Sequence, residues 1–380
     1  MSKAISKPRL PAIEYIRGIS MMGVIGIHIG SQYLANTSAN MHLVALFEIA
    51  TRFSVPIFFF ISAFGLFYNL NMAEPFNYRH FLTKRFKAVL VPYLVWSLFY
   101  LWHDGILYGV GFPSPLSLIE ILFFGNAKYQ LYFLVILLWF YLLMPLWIAM
   151  VKNATKALLL ALIIFQFAFD YWSSFSASFN TFVYALPDSS FLKPFLMYRL
   201  NYWVLHYIFI FILGGYLAVH INNFMLFMKK QRHIISLCFL VSLLSLLGYY
   251  YDIIYADGYT LLEAINTAHQ LSPAGIFYTI AASIFFFTIF TFNNFSDRLK
   301  NYLHILGFHS YFAYLVHPLV ITYLSMLLAS TNHLMTAPIS MLFYIATLLL
   351  SLLLAAICRK IGNSFPLLNK LTIGIFPKAK

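Results

Sequence analysis

Polar positions are so sparse along this chain that long apolar runs, not alternation, define its elements. Mostly apolar stretches occur at 12–34, 44–70, 84–108, 129–150, 154–171, 196–219, 232–254, 271–292, 309–329 and 336–358. A helix of about 20 such residues crosses a bilayer. Lipid offers no partner for backbone N–H and C=O groups, so spanning segments of this kind are helices. The pattern predicts an all-α, polytopic integral membrane bundle of ten transmembrane helices. The run "PLSLIEILFFG" at 115–125 is too short to span and is expected to lie at the interface or re-enter. No internal repeat interrupts the series, and 1–380 reads as one transmembrane domain without an appended soluble domain.

Charge sets the orientation. With an even number of spans and a cytoplasmic N-terminus, the cytoplasmic segments hold 19 of the 24 lysines and arginines, while the opposite loops hold only Lys128 and Lys193. That asymmetry is the positive-inside pattern. It predicts that both termini are cytoplasmic. Asp104, Glu120, Asp170, Asp188, Asp252, Asp257 and Glu263 then fall on the outer side. Three arginines remain, Arg17, Arg52 and Arg199, and all lie within spans. Ionisable groups there are costly and mark cavities or partners.

Composition narrows the class. The chain is 62% hydrophobic and 9% charged, against roughly 25% charged in a soluble domain. A net charge of +13 could suggest nucleic acid, but the charges sit in short loops between apolar runs, so that reading is rejected. Membrane lipids are the expected surroundings. Cys238 and Cys358 each sit inside an apolar run, which gives neither a disulfide framework nor a metal-type spacing.

The first span carries the strongest candidate chemistry. Arg17 and His28, in "IRGISMMGVIGIH", are eleven residues apart. Three turns plus about 20° place them on one helix face, about 16 Å apart along the axis. A guanidinium at the cytoplasmic mouth suits a phosphate-bearing ligand. A histidine deeper on that face suits general-base work. The competing reading is an interfacial arginine and a packed core histidine.

Further stretches follow in order: "VPIFFFISAFGLF" (55–67), "FLTKRFKAVLVPYLVWS" (81–97), "YQLYFLVILLWFYLLMPL" (129–146), "FILGGYLA" (211–218) and "HSYFAYLVHPLV" (309–320). With the R-x10-H of the first span, they resemble the membrane acyltransferase-3 family over nearly the whole chain, in its polysaccharide O-acyltransferase branch. The match has departures. Ser62-Ala63-Phe64 replaces Ser-Gly-Phe, Arg85-Phe86-Lys87 ends in lysine where Arg-x-Arg is usual, and Leu131 takes the place of a tryptophan, with Trp139 downstream. The resemblance implies transfer of an acyl group, acetyl in the first instance, from cytoplasmic acyl-CoA to a hydroxyl of an extracytoplasmic or cell-surface glycan. It assigns the catalytic role to His28. Glu14 and Arg17 stand at i and i+3, so Glu14 is expected to orient Arg17 and is counted with His28 among the catalytic residues. The resemblance places the CoA phosphates on Arg17, Lys84, Arg85 and Lys87. It also implies a bacterial plasma membrane, glycan-synthesis or export machinery as partners, and no metal.

Other polar residues keep two readings each. Glu48 and Arg52, at i and i+4, form an ion pair, or Arg52 faces the same cavity. Arg199 and His206 share a face of the sixth span, with Tyr202 nearby; they bind the acceptor or form a packed polar seam. His317 lines a cavity or braces the bend at Pro318. Pro56, Pro92 and Pro145 are expected to break their spans beside cavities. His103, His269 and His333 are expected to be solvated in outer loops. Two other function classes compete with the enzyme. One is an exporter of a polysaccharide or lipid-linked sugar. The other is a haem carrier, which needs two facing histidines that the spacing does not supply.

Overall fold

A computed structural model describes residues 7–33, 41–331, 333 and 335–375. Among them no strand occurs. The helices are α1 (Pro11–Tyr33), α2 (Met41–Thr51), α3 (Ser54–Tyr68), α4 (Tyr78–Arg85), α5 (Val91–Tyr108), α6 (Pro115–Phe124), α7 (Tyr132–Leu142), α8 (Met144–Lys152) and α9 (Lys156–Asp170). They continue with α10 (Ala177–Ala185), α11 (Leu192–Met197), α12 (Ile208–Val219), α13 (Ile221–Tyr255), α14 (Leu261–Thr267), α15 (Pro273–Phe292), α16 (Asp297–Ser330), α17 (Ala337–Ser364) and α18 (Pro366–Ile373). The all-α polytopic class is therefore observed.

Fewer uninterrupted helices of spanning length are observed than the ten expected spans. Among the described residues, seven helices are long and apolar enough to cross a membrane, or eight when the bent pair α7–α8 is one span. Two of the ten expected spans differ. The stretch 84–108 is interrupted by a π-turn at Phe86–Leu90. The stretch 196–219 is broken into α11, short 3-10 turns at Arg199–Asn201 and Val204–Tyr207, and α12. The run 115–125 forms the ten-residue helix α6, as its length demands.

Proline explains most interruptions. Its ring clashes with the carbonyl four residues back and it offers no N–H. Pro56 thus displaces the carbonyl of Arg52, and the helix breaks between α2 and α3 at Arg52 and Phe53. Pro92 acts on Ala88, and the ladder widens: the N–H of Val91 reaches the carbonyl of Phe86, five residues back. Pro145 acts on Tyr141, and α7 and α8 meet at 64°. Pro318 differs, because α16 runs through it without a break.

The chain divides into two compact units, one drawn from Met1–Asn71 with Phe209–Leu353, the other from Met72–Ile208 with Leu354–Lys380. In the first, α1 packs most extensively on α16, and α2, α3 and α15 also pack on α1. The contact of α1 with α16 is a backbone approach. A Cβ on Gly307 would lie 2.2 Å from the carbonyl oxygen of Glu14, and one on Gly18 would lie 2.9 Å from the nitrogen of Gly307. Small residues of this kind let membrane helices close on each other. In the second unit, α18 packs on α5, where the Trp96 indole donates to the Thr372 carbonyl at 3.1 Å.

Candidate functional site

The first unit holds the two ends of the opening motif. Arg17 is exposed, and its guanidinium lies beside Gly65 of α3, 3.9 Å from where a Cβ would stand. His28 is half-buried, and the mid-helix residues between the two are mostly buried. An exposed cation and a partly covered imidazole, three turns apart on one helix, are what the sequence led us to expect.

Glu14 needs correction. Its carboxylate is held by Arg9 at 2.5 Å and by His304 at 3.0 Å. It is fourteen residues from His28, about 21 Å along the axis. Glu14 therefore belongs to the Arg17 end of α1 and does not reach the atoms around His28. His304, one helical turn before Phe308 on α16, carried no sequence signal of this role.

The partner of His28 is His317. The two rings lie 5.3 Å apart between centroids and 19° from parallel. His317 is fully buried. Pro318 cannot supply an N–H to the Tyr314 carbonyl, and the His317 ring lies against that carbonyl and that of Ala313. The expectation that no two histidines face each other is thus corrected. Imidazole lone pairs lie in the ring plane, so stacked faces do not aim nitrogens at a common metal between them. Among the described residues, no group of three or more His, Cys, Asp or Glu could hold a metal ion.

Arg52 stands at the proline break after α2. Its Nη2 donates to Glu48 Oε1 at 2.6 Å and to the Ile265 carbonyl at 3.4 Å. Ser31 Oγ, three residues beyond His28, donates to the same Glu48 oxygen at 3.1 Å. The Arg52 charge reaches His28 and His269. His269 is not solvated as expected. It is half-buried, and its Nδ1 accepts from the backbone N–H of Leu271 at 3.0 Å. Removal from water, with Arg52 nearby, pushes its pKa down to about 3. His103 is likewise buried, and its Nδ1 lies 2.8 Å from Asp104, which also binds Lys128 at 2.7 Å. His333 is exposed.

In the second unit, the basic cluster lies where α4 passes into the π-turn. Lys84 and Lys87 are exposed. Arg85 is half-buried, with its guanidinium over the rings of Phe81 and Tyr141 at 5.5 and 5.7 Å. Aromatic faces hold a cation there while leaving donors for an anion.

Arg199 and His206 do not share a helix face, because no continuous helix joins them. Arg199 is buried, and each of its three guanidinium nitrogens donates a hydrogen bond. Its Nε donates to the Ser173 carbonyl at 2.7 Å, Nη1 to the Leu196 carbonyl at 2.7 Å, and Nη2 to Asn180 Oδ1 at 2.5 Å, above the Phe179 ring. It pins the π-turn that follows α9 and is not open to an acceptor. His206 pairs instead with Asp170, 2.6 Å away and fully buried. Tyr202 donates to the Phe195 carbonyl at 3.1 Å and lines a cavity of about 390 Å³ with Trp139, Phe169, Trp172 and Trp203.

The fold and these residues define a polytopic helical membrane protein with an arginine-to-histidine track on its first helix. A family model described as an acyltransferase domain matches residues 10–357, and the chain belongs to this acyltransferase-3 family. It is 27% identical over 337 residues to a "probable poly-beta-1,6-N-acetyl-D-glucosamine export protein" of Staphylococcus aureus strain MRSA252, covering 86% of each chain. It is 26% identical over 261 residues to the protein of the same description from Staphylococcus epidermidis, covering 67% of this chain and 64% of that one. No solved structure matches.

Proposed function

We propose that this protein transfers an acetyl group from cytoplasmic acetyl-CoA to a hydroxyl of a glycan outside the bacterial plasma membrane, with both chain termini cytoplasmic. The observation that carries the reading is the pairing of an exposed Arg17 with a half-buried His28 on one face of α1, the latter stacked on His317. Arg17 takes a CoA phosphate; the family resemblance gives the same role to Lys84, Arg85 and Lys87. The ammonium of Lys87 supplies charge without the bidentate fork of an arginine.

His28 acts as general base. Its imidazole takes the proton of the acceptor hydroxyl as that oxygen attacks the thioester carbonyl. The tetrahedral intermediate collapses with cleavage of the C–S bond. The CoA thiolate leaves and recovers the proton from the imidazolium. His317 braces the ring that does this work. The acceptor class comes from the relatives, whose names concern a β-1,6-linked N-acetylglucosamine polymer.

Purified protein in detergent, given acetyl-CoA and a β-1,6-linked N-acetylglucosamine oligosaccharide, tests this. Acetylated oligosaccharide and free CoA are expected from the wild type. Arg17→Ala weakens acetyl-CoA binding, and His28→Ala binds acetyl-CoA but releases no CoA. Full transfer by a folded His28→Ala variant refutes the mechanism. A second reading, glycan export, is favoured by the names of the same relatives. Absence of any acyl-CoA interaction, with loss of surface polymer in cells lacking the protein, decides for it.

A further inference from the structure

Glu48 and Arg52 are an ion pair that is only half used. Glu48 is fully buried, and Arg52 and Ser31 both donate to its Oε1. Among the described residues, Glu48 Oε2 and Arg52 Nε have no hydrogen-bond partner. Tyr250 of α13 is also fully buried with an unpartnered hydroxyl, and the Glu48 charge reaches it. A structural pair buried this deeply gains little over apolar packing even when every lone pair and N–H is matched. Leaving three atoms unmatched adds the full desolvation cost of each.

The position of the unmatched oxygen matters. A Cβ on Gly30 would lie 2.6 Å from Glu48 Oε2. The oxygen therefore faces the bare backbone of α1 within one helical turn of His28. Arg52 keeps 12% of its side chain exposed, so the cluster has an opening at the guanidinium.

We infer that Glu48, Arg52 and Tyr250 form the recognition site for a neutral, polyhydroxylated acceptor beside His28. The chemistry of the vacant valences selects this class. Glu48 Oε2 needs a donor, Arg52 Nε needs an acceptor, and the Tyr250 hydroxyl can serve as either. A sugar hydroxyl donates and accepts at one atom, and neighbouring hydroxyls on a ring meet all three groups. A phosphate offers nothing to Glu48, and an ammonium is repelled by Arg52. The inference rests on the acyl-transfer reading for its link to His28, but the binding itself does not depend on transfer.

The test uses the full chain in detergent and measures the dissociation constant for the β-1,6-linked N-acetylglucosamine oligosaccharide by calorimetry, without acetyl-CoA. Tyr250→Phe and Glu48→Gln keep shape and volume. Each is expected to weaken oligosaccharide binding tenfold or more while acetyl-CoA affinity stays within twofold. Tyr250→Phe removes a buried unpaired hydroxyl, so its melting temperature equals or exceeds that of the wild type. A merely structural tyrosine would not produce that split between stability and binding. Wild-type oligosaccharide affinity in both variants assigns the vacant valences to buried water and overturns the proposal, as does a wild type that does not bind the oligosaccharide. Oligosaccharide binding that responds to both variants, with no acyl transfer by the wild type, supports this site and refutes the transferase reading alone.

Discussion

Gly307→Ala is the substitution whose consequence follows most directly from the structure. The new Cβ would stand 2.2 Å from the Glu14 carbonyl oxygen, 2.5 Å from its Cγ and 2.7 Å from its carbonyl carbon, where ordinary contact begins at 3.4 Å. Two of these three atoms are backbone, which cannot swing aside as a side-chain end can. The α1–α16 contact must open locally by about 1.2 Å, the difference between 3.4 and 2.2 Å. Overpacking of this kind costs about 1–3 kcal/mol. In a chain of this size that lowers the melting temperature by only a few degrees. The clash stands at the Arg17 end of α1, between Glu14 and Gly18, so the functional cost falls first on the group proposed to hold a CoA phosphate. A displacement of about 1 Å in a positioning contact costs on the order of 100-fold. The expected result is a folded Gly307→Ala protein, slightly less stable, with acetyl-CoA binding weakened and transfer reduced by one to two orders of magnitude. A melting temperature and transfer rate equal to wild type would show that the helices do not meet as described.

Three further outcomes are expected. His269 has a folded pKa of about 3, below its unfolded value of about 6.5, so the folded state resists protonation. Stability is undiminished above pH 6.5 and falls as pH drops through that value, by at most about 2 kcal/mol between pH 6.5 and 5. Thermal melts at pH 7.5 and 5 should show this loss, and His269→Gln should flatten it; an equal pH response in the variant refutes the assignment. Asp170→Leu removes the partner of the fully buried His206 Nδ1 and should cost about 1–3 kcal/mol, whereas Asp170→Leu with His206→Phe should recover most of it; denaturation of the two variants compares them directly. Arg199→Lys cannot span Ser173, Leu196 and Asn180 together, and should cost about 3 kcal/mol while leaving acceptor affinity unchanged in calorimetry.

Much of this was legible in the amino-acid order because membranes enforce it. Apolar length announces a helix, and Pro56, Pro92 and Pro145 announce where helices fail, since the clash with the carbonyl four residues back is local. The face shared by Arg17 and His28 follows from helical period alone. What was not legible depends on neighbours distant in the chain. His206 finds Asp170 thirty-six residues away, and His28 on α1 meets His317 on α16, which packs against it. The burial of His103 and His269 was misread because an outer loop was equated with exposure. His103 instead lies within α5, and His269 lies in the short link between α14 and α15. Arg199 was misread because 196–219 is apolar enough to imply a helix, while the carbonyls of Ser173 and Leu196 and the Asn180 amide form a socket for its guanidinium.

The three arginines inside the expected spans show how to tell a ligand-binding cation from a structural one without a ligand present. An intramembrane charge is tolerated only when its desolvation is offset, so the question is what offsets it. Three of the donor nitrogens of Arg199 are spoken for by two carbonyls and an amide, and its face rests on Phe179; a ligand would have to break bonds already made. Arg52 is held at one nitrogen while its Nε and the far oxygen of Glu48 have no partner among the described residues, so the folded chain alone leaves the offset incomplete. Arg17 is exposed and meets water at little cost, beside Gly65 of α3, so its charge is offset by solvent. Sequence treats these residues alike, since each is one arginine in an apolar run. What offsets each charge separates them: solvent for Arg17, carbonyls and an amide for Arg199, and an incomplete ion pair for Arg52.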